Sequence, residues 1–129
     1  MGDRAEATIR RFFEAWKRND PDEIVSFLRE DAVYTDGPRG THRGSAAIRE
    51  MVVQANKLTP GGFEVAVRSL VSDGTLVMVE RIDRFQARGQ TFGMDVAGAF
   101  EVDDQGLIYR WRDYFDLKEI QDRVKPGAR

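Results

Sequence analysis

The chain has 129 residues, 41% of them hydrophobic, and 20 basic against 22 acidic side chains leave a net charge of −2. That is the size of one compact domain, residues 1–129, and neither sign of charge forms the long run that a nucleic-acid or anionic-membrane surface needs. No stretch approaches the roughly 18 apolar residues of a membrane span, the charged start from Met1 to Arg10 is unlike a secretory signal, and the absence of cysteine removes thiol nucleophiles, disulfides and thiolate metal sites. The expectation is a cytoplasmic protein with small, weakly charged partners.

The first element is an amphipathic helix, because Ile9, Phe12, Phe13 and Trp16 recur at helical spacing between Arg4 and Lys17 with charges on the other side. Asn19 and Asp20 stop it. Asp20 is placed to cap a second helix, with Pro21 at its first position, Glu23 at its third, and Ile24, Phe27 and Leu28 as its apolar stripe. A short strand from Ala32 to Asp36 follows, then a loop from Gly37 to Gly44. Ser45 is placed to cap a third helix that turns Ile48, Met51, Val52 and Ala55 to one side, and Thr59 to Gly62 ends it.

Four strands come next: Phe63 to Val71, Leu76 to Ala87, Gln90 to Val102 and Leu107 to Phe115. The pieces between them, Ser72-Asp73-Gly74, Arg88-Gly89 and Asp103-Asp104-Gln105-Gly106, are short and turn-forming, so the strands form antiparallel hairpins. Leu117 to Val124 reads as a helical tail before Pro126 and Gly127. Helices first and strands second predict an α+β domain in which a curved, mostly antiparallel sheet packs on about three N-terminal helices. The hollow between the layers is the expected pocket.

Two of these strands carry charge where the core should be. The odd positions of the second strand read Val77, Val79, Arg81, Asp83 and Phe85, and those of the last read Leu107, Tyr109, Trp111, Asp113, Phe115 and Leu117. An unpaired carboxylate in apolar surroundings costs several kcal/mol or takes up a proton, so Arg81, Asp83 and Asp113 are expected to cluster. A guanidinium between two carboxylates fixes both through its fork of donors, and two acids in one apolar site do not easily both ionise. One acid to donate and one carboxylate to accept is the arrangement for adding water to a strained, uncharged electrophile. The other reading of the same pattern is an ion-pair network that only ties two strands together.

Tyr34 and Asp36 share a strand face, and a phenol beside a carboxylate can hold a water molecule; a core-rim tyrosine followed by an Asp36-Gly37-Pro38 turn is the plainer reading. His42 is the only histidine, so it is read as solvent-exposed and no metal site is expected. No serine elbow, phosphate-binding glycine loop or dinucleotide fingerprint is present, and no cofactor is expected. Phe12, Trp16, Phe27, Phe63 and Phe100 are assigned to packing, some of them around the pocket.

Glu80-Arg81-Ile82-Asp83 followed by Tyr109-Arg110-Trp111-Arg112-Asp113-Tyr114-Phe115-Asp116-Leu117 resembles the signature of the limonene-1,2-epoxide hydrolases, and the likeness runs from Ile9 to Ile120. That family belongs to the cone-shaped superfamily of nuclear transport factor 2 (NTF2-like), the ketosteroid isomerases and the SnoaL-like polyketide cyclases. The resemblance implies a one-step, cofactor-free epoxide hydrolysis on a small apolar substrate. In it the aspartate matching Asp113 takes a proton from water, the aspartate matching Asp83 protonates the departing oxygen, and the arginine matching Arg81 bridges them. The family's water-positioning tyrosine matches Tyr34, but its asparagine two residues later is replaced by Asp36. This third carboxyl must carry a proton or make ionisation of its neighbours harder.

Around Phe27 to Ile48 the chain also resembles a ketosteroid isomerase, whose general-base aspartate falls at Asp36. That chemistry needs oxyanion donors, and the family's tyrosine and protonated aspartate fall here at Phe12 and Gly98. An epoxide-opening cyclase, in which a substrate hydroxyl replaces water, and a ligand-binding module without catalysis are the remaining alternatives. By analogy with the superfamily, a two-fold homodimer is expected.

Overall fold

In the computed structural model of the protein, which describes residues 3–124, Asp3 caps helix α1 (Arg4–Arg18) by accepting the Glu6 amide at 3.1 Å. Asn19 ends the helix in the left-handed region at φ 59°. Ile9, Phe12 and Ala15 are fully buried on its inner face, with Phe13 and Trp16 nearly so. Asp20 caps helix α2 (Pro21–Val25) through the Asp22 amide at 3.0 Å. This helix is shorter than its apolar stripe predicts. Ser26 closes its last turn, the Phe27 carbonyl accepts the Ile108 amide at 2.9 Å, and Leu28 already lies in a strand. Sheet pairing overrides the helical spacing of Phe27 and Leu28.

Strand β1 (Leu28–Asp36) therefore starts four residues before the expected Ala32, and the segment expected as a loop is a 3-10 turn (Gly37–Arg39) followed by strand β2 (Thr41–Arg43). His42 on β2 is partly buried, not exposed, because its ring lies against Tyr34 at 5.8 Å. Helix α3 (Ser45–Leu58) begins at Ser45, with Gly44 in the capping position instead. At φ 91° Gly44 sends its amide back to the Ala32 carbonyl at 2.7 Å while its own carbonyl accepts the Ile48 amide.

The remaining strands are β3 (Phe63–Ser72), β4 (Leu76–Ala87), β5 (Gln90–Val102) and β6 (Ile108–Tyr114), before helix α4 (Leu117–Val124). Pro126 and Gly127, expected to follow that helix, lie outside the described residues. The sheet order is β2-β1-β6-β5-β4-β3, antiparallel at every pair except β1 with β6, which run parallel.

One register break corrects the sequence reading of the last strand. Glu101 pairs with Arg110 and Val102 with Ile108, so Tyr109 is an extra residue that bulges from β6 and reverses the alternation before it. Ile108 is consequently buried in the core, and Tyr109, expected inside, sits on the rim under the Arg29 guanidinium at 4.6 Å. Between α1 and the inner face of the sheet, Phe12 meets Trp16, Phe100 and Trp111 edge to face. Each fully buried side chain of this kind contributes about 1.5–3 kcal/mol, which makes the layer a rigid roof over the site.

Candidate active site

Arg81 and Asp83 stand on the inner face of β4, whereas Asp113 stands on the inner face of β6. Strand β5 lies between, so the backbones are about 10 Å apart. The gap is crossed at Gly98 of β5, the residue paired with Asp113 on one side and Val79 on the other. A Cβ at Gly98 would come within 2.5 Å of Arg81 Nη1 and 2.9 Å of Asp113 Oδ1. The missing side chain is the space that the guanidinium occupies.

Through that gap Arg81 donates from Nε to Asp83 Oδ1 at 2.9 Å, from Nη2 to Asp83 Oδ2 at 3.2 Å and from Nη1 to Asp113 Oδ1 at 3.1 Å. Its Nη2 also lies 3.0 Å from Asp113 Oδ2. The indole Nε1 of Trp111, two residues before Asp113 on the same face, donates to Asp113 Oδ1 at 3.1 Å. All three charged residues are buried, and the Arg81 guanidinium stacks over the Phe13 ring at 5.4 Å.

The parallel pairing of β1 with β6 aligns Tyr34 with Trp111 and Asp36 with Asp113. The Tyr34 ring stacks on Trp111 with centroids 3.6 Å apart, and its hydroxyl lies 2.9 Å from Asp36 Oδ1 and 3.0 Å from Asp113 Oδ2. All five residues singled out in the sequence thus meet in one cluster. The turn after β1 brings a further residue: Gly37 at φ 50° folds the chain back, the Asp36 amide reaches the Gly40 carbonyl at 2.8 Å, and Arg39 Nη1 comes to 3.7 Å from Asp36 Oδ2. Arg39 is half exposed and lies over the Phe115 ring, marking the mouth of the site.

Burial and charge divide the labour inside the cluster. Burial alone would lower the affinity of Arg81 for its proton, but the charges of Asp113 and Asp83 outweigh it and hold the guanidinium firmly protonated. Burial pushes the Asp83 carboxyl above the ordinary aspartate range, with Arg81 pulling against it and the Asp113 charge adding to it. Burial, then Asp113 and Asp36, raise the Tyr34 phenol well above its usual value, so it stays a hydroxyl. Among the described residues no three histidine, aspartate or glutamate side chains are arranged to hold a metal ion.

The polar groups face a cavity of about 100 Å³ whose other walls include Phe12, Phe13, Trp16, Met51, Phe63 and Met94. An apolar hollow with a few convergent polar groups at one end is suited to a small, largely apolar ligand carrying a single reactive polar atom.

Residues 4–125 match the family model of the limonene-1,2-epoxide hydrolase catalytic domain. The chain belongs to the limonene-1,2-epoxide hydrolase family. It is 33% identical over 116 residues to the epoxide hydrolase EphG of Mycobacterium tuberculosis, an alignment covering 87% of this chain and 73% of that protein. It also superposes on the structure of a limonene-1,2-epoxide hydrolase-like enzyme from M. tuberculosis with a TM-score of 0.81 at 30% identity, over 96% of this chain and 91% of the other. An NTF2-like protein of Anabaena variabilis shares the fold at a TM-score of 0.77 and 20% identity, over 89% of this chain and 91% of that one. The fold is the NTF2-like α+β cone.

Beside the residues given a site role from the sequence, the structure adds Trp111, Gly98 and Arg39 to the site. The signal for Trp111 was its place on the face of Asp113 two residues on. Gly98 appeared only as the position where an isomerase aspartate would fall. Arg39 lay in a segment read as plain loop, and only the fold-back at Gly37 turns it toward the pocket.

Proposed function

We propose that the protein is a cofactor-independent epoxide hydrolase that converts a small, largely apolar epoxide to a vicinal diol by direct attack of water. The observation that carries this reading is the Arg81 guanidinium bound at once to two buried carboxyls that face an aromatic cavity. Asp113, whose Oδ1 receives two N–H donors, serves as the base that removes a proton from water. Asp83, whose hold on its proton burial strengthens, gives that proton to the epoxide oxygen as the carbon–oxygen bond breaks. Tyr34 and Asp36 hold the attacking water against Asp113. The net result of the chemical step is one carbon–oxygen bond formed and one broken, a diol, and one proton lost by Asp83 and one from water gained by Asp113.

The cavity of about 100 Å³ is smaller than the roughly 150 Å³ void known to hold benzene, which favours an epoxide of a few carbons or one ring with its edge at the mouth. The isomerase alternative keeps its base, because Asp36 lines the cavity, but lacks its oxyanion donors. The position where its protonated aspartate would project is filled by Arg81, and Phe12 is fully buried in the aromatic layer with no hydroxyl to donate. A substrate hydroxyl could take the place of water in the same site, giving a cyclic ether instead of a diol.

Cyclohexene oxide, with terpene and styrene-type epoxides as larger members of the panel, tests the reading. The wild type is expected to form diol, and Asp113→Asn and Asp83→Asn each to lose at least about a hundredfold in kcat with the fold retained by circular dichroism. A folded Asp113→Asn variant that still hydrolyses at the wild-type rate would remove the base from the mechanism.

A further inference from the structure

The Tyr34 hydroxyl has one hydrogen and two carboxyl neighbours, Asp36 Oδ1 at 2.9 Å and Asp113 Oδ2 at 3.0 Å. When both acids are ionised, only one of these contacts is a hydrogen bond and the other sets two oxygen lone pairs against each other. The array Asp113–Tyr34–Asp36 is then one hydrogen short. Asp113 already receives Arg81 and Trp111 on Oδ1, whereas among the described residues only Tyr34 hydrogen-bonds the Asp36 side chain, the Arg39 guanidinium standing off at 3.7 Å. In the ionised array Tyr34 therefore gives its hydrogen to Asp36, and the unsatisfied contact is the one at Asp113.

We propose that Tyr34 and Asp36 form a proton relay that carries the hydrogen taken from water away from Asp113 to the mouth of the cavity. The inference rests on the hydrolase reading above. As Asp113 accepts the proton of the attacking water, it passes a proton to the Tyr34 oxygen, and Tyr34 releases its own hydrogen to Asp36. Two O–H bonds form and two break, and Tyr34 ends as it began. Burial and the two acids keep the phenol from ionising, so the two transfers occur together. Asp36, beside the half-exposed Arg39, then returns the proton to bulk water, and water entering the emptied cavity reprotonates Asp83.

A return from Asp113 to Asp83 through the guanidinium is closed, because Arg81 lies between the two acids and its firmly held protons make it a donor only. A neutral asparagine at position 36 could orient water but could not accept the proton. That difference separates a relay from a merely positioning role. The charged and titratable groups around Asp36 are Tyr34 on its own strand, Asp113 on β6 and Arg39 on the turn, with His42 of β2 against the Tyr34 ring.

The test follows kcat, KM and the proton inventory in mixed light and heavy water with cyclohexene oxide. The wild type is expected to give a curved inventory, with more than one proton in flight. Asp36→Asn is expected to lose at least about tenfold in kcat at unchanged KM and to give a linear inventory. Tyr34→Phe should lose a similar factor, and the double variant no more than either single one. Formate should restore part of the kcat of Asp36→Gly and none of that of Asp113→Asn. Wild-type kcat and an unchanged inventory in Asp36→Asn would overturn the relay while leaving the hydrolase reading intact. A wild type that forms no diol, or an Asp113→Asn variant that remains active, would overturn the hydrolase reading and the relay with it.

Discussion

Asp83 shows how one residue's surroundings set its chemistry. Its carboxyl is buried beside a cation that prefers it charged, and burial still wins, so the group holds its proton above the ordinary aspartate value. A general acid works only while protonated. We therefore expect kcat to fall as pH rises through this raised value, and a limb centred at the unperturbed value of about 4 would contradict the assignment. The same shift has a sign for stability. The fold favours the neutral carboxyl, so its contribution is complete below the unfolded-state value of about 3.9 and is lost as pH rises through the higher folded-state value. Urea unfolding across that window should show the wild type losing stability relative to Asp83→Asn.

At the scale of the strand, the site depends on a side chain that is absent. Arg81 reaches Asp113 only because β5 carries glycine at position 98, and an alanine there would press a methyl group into Arg81 Nη1. Gly98→Ala is expected to cost about 1–3 kcal/mol in urea unfolding and to lower kcat far more than its volume suggests, since the guanidinium sets the position of both acids. Wild-type kcat and stability in that variant would show that the bridge forms some other way. The charged trio was legible in the sequence because strand periodicity is strict: Arg81, Asp83 and Asp113 interrupt otherwise apolar faces. The role of Gly98 was not, since a strand glycine reads only as a weak position until the neighbouring strand's side chain is known. The phase of Tyr109 was lost for a similar reason, because a bulge is fixed by the partner strand. Phe27 and Leu28 fit a helical stripe equally well, and only pairing with Ile108 decides for the strand.

For the molecule as a whole, the order of helices before strands was enough to read the layers, and the antiparallel hairpins of β3 to β6 followed from their short turns. The parallel contact between β1 and β6 was beyond local reading, because the partners lie 77 positions apart at Asp36 and Asp113 and no turn joins them. That contact completes the site. It sets Tyr34 and Asp36 beside the Asp113 carboxylate, under a roof of aromatic side chains. The central claim is that water, and not a protein carboxylate, attacks the epoxide. A single turnover with enzyme in excess over cyclohexene oxide, run in oxygen-labelled water, tests it directly. The account predicts that the first diol released carries one labelled oxygen; a first diol without label, its new oxygen drawn from an aspartate of the protein, would contradict it.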